Sequence, residues 1–161
     1  MPVDTKHREY EKHFREWNKI RDFLEGEDSV KAGGTLYLPK PSGQNSEDYV
    51  SYLDRAPYEN ATKRTLKGYL GLVFRKPFTT LEDPDAIRKQ LPNITLSGVP
   101  FDTFAKDLVE EIISMGRVGV IVDAQGGGSG RPFLRQYETE TIQNWREVLV
   151  DGAPIVDQIL T

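Results

Sequence analysis

The sequence predicts an α+β fold, with N-terminal amphipathic helices followed by a small, mainly antiparallel sheet. Three observations predict it. Apolar residues recur at helical spacing over 9–25, 46–56, 60–74 and 101–116. Beyond Gly116 the pattern changes to short runs rich in β-branched residues, 117–123 and 132–137. Asp151-Gly152 then stands between two apolar runs, a strong hairpin signal. Helices first and strands later is the order of an α+β domain. The 161 residues suffice for one domain with a core. Its helical part is expected over 1–116 and its sheet part over 117–161.

Each element follows from local chemistry. In 9–25, Tyr10, Phe14, Trp17, Arg21 and Leu24 form one stripe, with Asp4 or Thr5 as cap and Gly26 as stop. The polar stretch 26–34 reads as turn. Thr35–Leu38 is a short apolar run ended by prolines, a brief strand or extended connector. Ser46 caps a second helix with Glu47 and Asp48 in its first turn, and Pro57 ends it. The third helix holds Gly68 and Gly71. Each costs about 1 kcal/mol of helix propensity, so a close neighbour is expected against them. Residues 79–100 form an irregular connector, with a short helix near 84–90. The helix 101–116 has Asp102 as cap and Gly116 as stop. The run 117–123 reads as a buried strand. Residues 132–137 form its antiparallel partner, and 138–145 a short helical turn.

Composition narrows the function. The net charge is -4, which argues against a chain that coats nucleic acid along its whole surface. There is no cysteine, so thiol chemistry, disulfides and thiolate metal sites are excluded, as suits an intracellularly assembled protein. No apolar run approaches a membrane span, and the polar N-terminus is not a secretory signal. The charge is uneven. Residues 60–80 carry five cations (Lys63, Arg64, Lys67, Arg75, Lys76) and no acid. The helix 101–116 carries Asp102, Asp107, Glu110 and Glu111 against the single Lys106. Glu110 and Glu111 read as a solvated outer face.

No motif announces catalysis, a cofactor or a metal. The glycine-rich stretch Gly126–Arg131 follows a strand, but no Gly-Lys-Ser/Thr and no helix follow it, so it reads as a flexible loop. His7 and His13 are six apart, whereas a zinc pair on one helix face wants four, so both read as surface residues. Asp123 ends a strand, where an aspartate is more often a turn former. Trp17 and Trp145 read as core rather than base-stacking platforms. The basic segment is either a solvated face or a docking surface. In the second case Lys63, Arg64 and Lys67 would face Asp107, Glu110 and Glu111 of an adjacent copy. Heterologous contacts of that kind build rings. Two alternatives stay open: a small enzyme domain binding a phosphorylated ligand at 126–131, with Arg131 and Asp123, and a free-standing adaptor binding DNA through 60–76.

The blocks VKAGGTLYLPKPSG, EDYVSYLDRAPYENATKRTLKGYLGLVFRKP, FAKDLVEEIISMGRVGVIVD and RPFLRQYETETIQNW occur in that order. With the opening MPVDTKHREYEKHFREWNKIRDFLEGEDSVK, the chain resembles the N-terminal part of a branch of tailed-bacteriophage portal proteins, one known as a domain of unknown function. The resemblance covers nearly the whole chain; no block is a catalytic fingerprint. It implies a structural virion component and no enzyme. Portal proteins form a ring, usually of twelve subunits, at one capsid vertex. Double-stranded DNA passes through it during packaging and ejection, and terminase and neck or tail proteins attach to the full-length protein. The N-terminal region mostly builds the wing, an α+β body at the outside of the ring. The resemblance implies host-cytoplasmic assembly, a virion location and no membrane partner. Family members continue for hundreds of residues past the hairpin, so the chain is expected to be a fragment lacking stem and clip.

Overall fold

The computed structural model describes residues 5–77, 84–124 and 130–161. Among these described residues six α-helices come first: α1 Arg8–Glu25, α2 Glu27–Ala32, α3 Ser46–Arg55, α4 Ala61–Val73, α5 Asp85–Arg88 and α6 Phe101–Met115. Four strands follow: β1 Gly119–Ala124, β2 Pro132–Tyr137, β3 Asn144–Val150 and β4 Ala153–Leu160. They pair antiparallel as two separate two-stranded ribbons, β1–β2 and β3–β4. The α+β class is therefore as the sequence predicts, with the sheet divided in two. No described helix is long and apolar enough to cross a membrane.

The helical stripe of α1 seeds the core. Tyr10 and Trp17 are buried with Met115 from the end of α6, and Phe14, Ile20, Leu24 and Trp145 pack around them. Trp17 and Trp145 are thus core-forming, as expected. α1, α4 and α6 pack on one another. Asn60 helps to place α4. Its Oδ1 accepts from Lys63 N at 2.8 Å, capping the helix, while its Nδ2 donates to Phe23 O at 2.7 Å, in the last turns of α1. Asp151 (φ 51) and Gly152 (φ 81) both lie in the left-handed region, which makes the β3–β4 turn type I′, the hairpin turn expected from this dipeptide.

Several local expectations are corrected. α1 is capped by His7, whose Nδ1 accepts from Glu9 N, rather than by Thr5; Asp4 lies outside the described residues. Residues 27–32 form the short helix α2 instead of turn, entered through Gly26 at φ 127. Gly34–Leu36 is a 3-10 turn and no strand. Asn45, one residue earlier than Ser46, caps α3 by accepting from Asp48 N at 2.7 Å. α6 starts after Pro100 with no side-chain cap, so Asp102 does not serve as one; Gly116 does end it, in the left-handed conformation. The turn expected over 138–145 is a 3-10 turn at Thr139–Thr141, and β3 begins at Asn144. β1 is no buried strand, since Val120, Ile121 and Val122 are all exposed. Part of the 79–100 connector and Gly126–Ser129 lie outside the described residues.

Gly68 and Gly71 also break the expectation. Among the described residues, a Cβ at either position meets nothing within 4 Å, so no described neighbour packs against them. Nearby, Tyr69, Leu72 and Val73 are exposed, Leu72 at 69%. Gly68→Ala and Gly71→Ala should each stabilise the chain by up to about 1 kcal/mol through helix propensity alone. Urea unfolding checks this; a loss of stability would mean that this side of α4 is covered.

Candidate functional site

Arg21 sits on the apolar stripe of α1 among Trp17 and Leu24. A partly buried guanidinium there favours acidic partners, because an unpaired charge withdrawn from water is costly. It finds two. Its Nη1 and Nη2 donate to the two carboxylate oxygens of Glu111 at 3.1 and 2.9 Å. Its Nε and Nη2 donate to those of Glu140 at 2.9 and 2.7 Å. One planar fork therefore ties α1 to α6 and to the turn between the ribbons. The bidentate geometry is the one in which arginine binds carboxylates best.

Glu111 is only 6% exposed. It also accepts from Thr139 N at 3.1 Å. Thr139 is fully buried, and its Oγ1 donates to Arg117 O at 2.6 Å. Arg117 returns the contact: its Nη2 donates to Thr139 O at 2.9 Å and Ile142 O at 2.8 Å. The guanidinium lies between two indoles, 4.3 Å from the Trp17 ring centre and 4.6 Å from that of Trp145. Cation–π attraction of this kind is worth about 0.5–2 kcal/mol per pair. His7 stacks on Trp145 at 3.8 Å, and Tyr10 Oη donates to Glu140 O at 3.1 Å. His7 is thus a capping and stacking residue, not the plain surface residue expected.

The network tunes its members. Burial lowers the Arg117 pKa, although Tyr10 and Glu140 partly oppose it. Hydrogen bonding to Glu140 raises that of Arg21 beyond its already high ordinary value, despite burial. For Glu140, burial works against ionisation, but the Arg21 hydrogen bonds, with the Arg21 and Arg117 charges, hold its carboxyl below the usual range. Apart from Arg117 Nε, which is buried without a hydrogen-bond partner, these groups satisfy one another. Their arrangement ties three elements together.

The residues named as a docking surface divide differently. At helical spacing, Lys63, Arg64 and Lys67 share one side of α4, and all but the half-buried Lys63 are exposed. Arg64 already pairs with Glu59 at 2.6 Å, both exposed, while Lys63 and Lys67 make no ion pair among the described residues. Asp107 and Glu110 are exposed on α6. Glu111 is not; its engagement with Arg21 and Thr139 removes it from any external surface, which corrects the reading of a solvated pair. The opposite side of α4 lines an apolar groove of about 530 Å³ with Ile20, Leu24, Leu66, Tyr69 and Ile113. Asp123 lies within β1, paired with Phe133, and its Oδ1 accepts from Ala124 N at 2.7 Å. Arg131 is exposed, and most of the glycine loop lies outside the described residues. Among the described residues no group of three or more His, Cys, Asp or Glu side chains is placed to hold a metal ion.

A scan against protein-family models found no match, and a search of curated proteins also found none.

Arg21→Met leaves two carboxylates, one buried and one partly buried, without their cation and should cost about 3–5 kcal/mol, measured by urea unfolding. A cost under 1 kcal/mol would show that the network is dispensable. Acid sensitivity follows from Glu140. Its folded-state pKa is depressed, so its contribution is present above the unfolded value, about 4.3, and is lost as pH falls through the folded value. Glu140→Gln should therefore flatten the stability loss as pH falls below about 4.3; an unchanged acid slope would contradict the assignment.

Proposed function

We propose that this chain is a scaffold subunit without bond-making chemistry, the wing part of a portal ring of the tailed-bacteriophage type. The portal ring surrounds double-stranded DNA during packaging and ejection; terminase and neck or tail proteins meet the full-length assembly. The resemblance carried by the ordered sequence blocks supports the reading. The single structural observation that supports it most is a pair of oppositely charged flanks, exposed except at the half-buried Lys63. Lys63 and Lys67 stand on α4, and Asp107 and Glu110 stand on α6, as different patches of one chain. A subunit with two different complementary patches can associate head to tail and close a ring.

Exposed ion pairs contribute only about 0–1 kcal/mol each. The flanks would therefore set register and partner choice, and apolar contact would hold the assembly. Lys63→Glu with Lys67→Glu should weaken assembly at low salt, and wild-type assembly should itself weaken as salt shortens the reach of these charges. Arg64→Glu should do less, because Glu59 already engages Arg64. Sedimentation velocity at two ionic strengths reads both effects. Normal assembly of the double variant in both buffers would refute the role of this surface.

A further inference from the structure

The β3–β4 ribbon is fastened at its base. There His7 N donates to Gln143 O at 2.9 Å, Asn144 Nδ2 donates to Thr5 O, and His7 stacks on Trp145. Beyond the register shift at Arg146/Glu147, among the described residues, β3 packs chiefly on β4. Both faces of this outer half are exposed. Leu149, at 75%, shares one face with Glu147 and Val156; Val150 and Ile155 share the other. A lone two-stranded ribbon is at best marginally stable in water, and a packed face is needed to hold it. The arm therefore calls for a cover that the described part of its own chain does not provide.

Charge indicates what the cover is. Residues 147–156 carry two acids, Glu147 and Asp151, both exposed, and no base. Outside the arm, three regular elements among the described residues expose more than one large apolar side chain. α6 exposes Ile112 and Ile113, but the exposed Glu110 lies one turn from Ile113 and would repel an acidic arm. β1 exposes Val120, Ile121 and Val122, but Asp123 stands beside Val122 and Arg135 across from Ile121, so the charges there oppose one another. α4 exposes Tyr69, Leu72 and Val73, and Arg75 and Lys76, both exposed, follow shortly after. No acid lies between residues 60 and 80. Tyr69 also carries this face into the apolar groove beside Ile20, Leu24 and Leu66. Of the three, α4 alone joins exposed apolar side chains to charge of the sign opposite to that of the arm.

We propose that the Glu147, Leu149 and Val156 face of the β3–β4 arm docks on the Tyr69, Leu72 and Val73 face of α4 in a second copy of this chain. The inference rests on the reading of the chain as a self-assembling subunit and names the apolar contact that holds it. A second copy is the occupant because both halves of the match, apolar with acid and apolar with base, stand on this one chain. At helical spacing Tyr69 and Leu72 lie on another side of α4 from Lys63 and Lys67, so this contact is distinct from the charged one. Glu147 and Asp151 set the register against Arg75 and Lys76, while the apolar side chains exclude water. Arm and helix are different surfaces, so the contact is heterologous, and its repetition gives a ring or filament.

The charge match can be swapped between copies. Glu147→Lys alone, and Arg75→Glu with Lys76→Glu alone, should each weaken self-association by about tenfold in low-salt sedimentation velocity, with unchanged far-ultraviolet dichroism. Mixed, the two variants should associate again, because each arm then finds an α4 of opposite sign. Either variant assembling alone like the wild type, or a mixture that stays dispersed, overturns the proposal. The chain has no cysteine, so single-cysteine variants give an independent reading. Leu149→Cys mixed with Leu72→Cys and mildly oxidised should crosslink about tenfold more than Leu149→Cys mixed with the equally exposed control Leu36→Cys. Crosslinking no better than the control overturns it as well. If the Lys63/Lys67 reversal disperses the assembly but the 72–149 crosslink fails, the arm contact is wrong and the assembly reading survives. A chain that is monomeric at every concentration overturns both.

Discussion

A guanidinium on an apolar helix stripe is the constraint around which the rest of this chain is arranged. Pairing of Arg21 is favoured because its position on α1 takes it partly out of bulk water, and the two carboxylates that pair it come from α6 and from the turn before β3. Desolvation makes such pairs modest contributors to net stability, but breaking one is costly. Their effect is to select one arrangement of elements. Only when α1, α6 and the turn meet in this register are all the charges satisfied. Arg117 repeats the principle one layer away, held between Trp17 and Trp145 with its Nη2 on two backbone carbonyls. Its Nε is buried without a hydrogen-bond partner, so the two indole faces account for much of its accommodation.

The chain is thus well determined at its centre and open at its periphery. Thr139 is fully buried, whereas the far ends of the ribbons and one side of α4 expose valine, leucine and isoleucine. Apolar area of that kind, gathered on regular elements and rimmed by charge, is typical of surfaces that meet other protein. The titratable groups of the network described above are turned toward each other.

The elements were readable in the sequence where one local signal decides them. The stripe of α1, the Gly116 stop of α6 and the Asp151-Gly152 turn needed no tertiary information. Failures came where two local readings compete. His7 displaces Thr5 as cap because Trp145 offers its ring a stacking partner from the far end of the chain. β1 has the composition of a buried strand but is exposed, since β-branched content reports what a strand suits rather than what covers it. The network was hidden because Arg21 and Glu111 are 90 residues apart. One signal was present: an arginine inside an apolar stripe asks for an acid, and Glu111, three residues after Leu108 and four before Met115, lies on the apolar side of α6. Glu110, its neighbour, points elsewhere, and taking the two as one solvated pair concealed this. Gly68 and Gly71 show the converse error, for a glycine pair in a helix invites a packing explanation that the surroundings of α4 do not provide.

Amide hydrogen exchange at Thr139 tests the central claim most directly. Its N–H donates to the Glu111 carboxylate inside the Arg21 network. If that network holds the fold together, this proton exchanges only through global unfolding, with an opening free energy equal to that from denaturant titration. Exchange at Thr139 as fast as at the β3–β4 turn, while the helices remain protected, would show that the hub opens by itself and that something else maintains the structure.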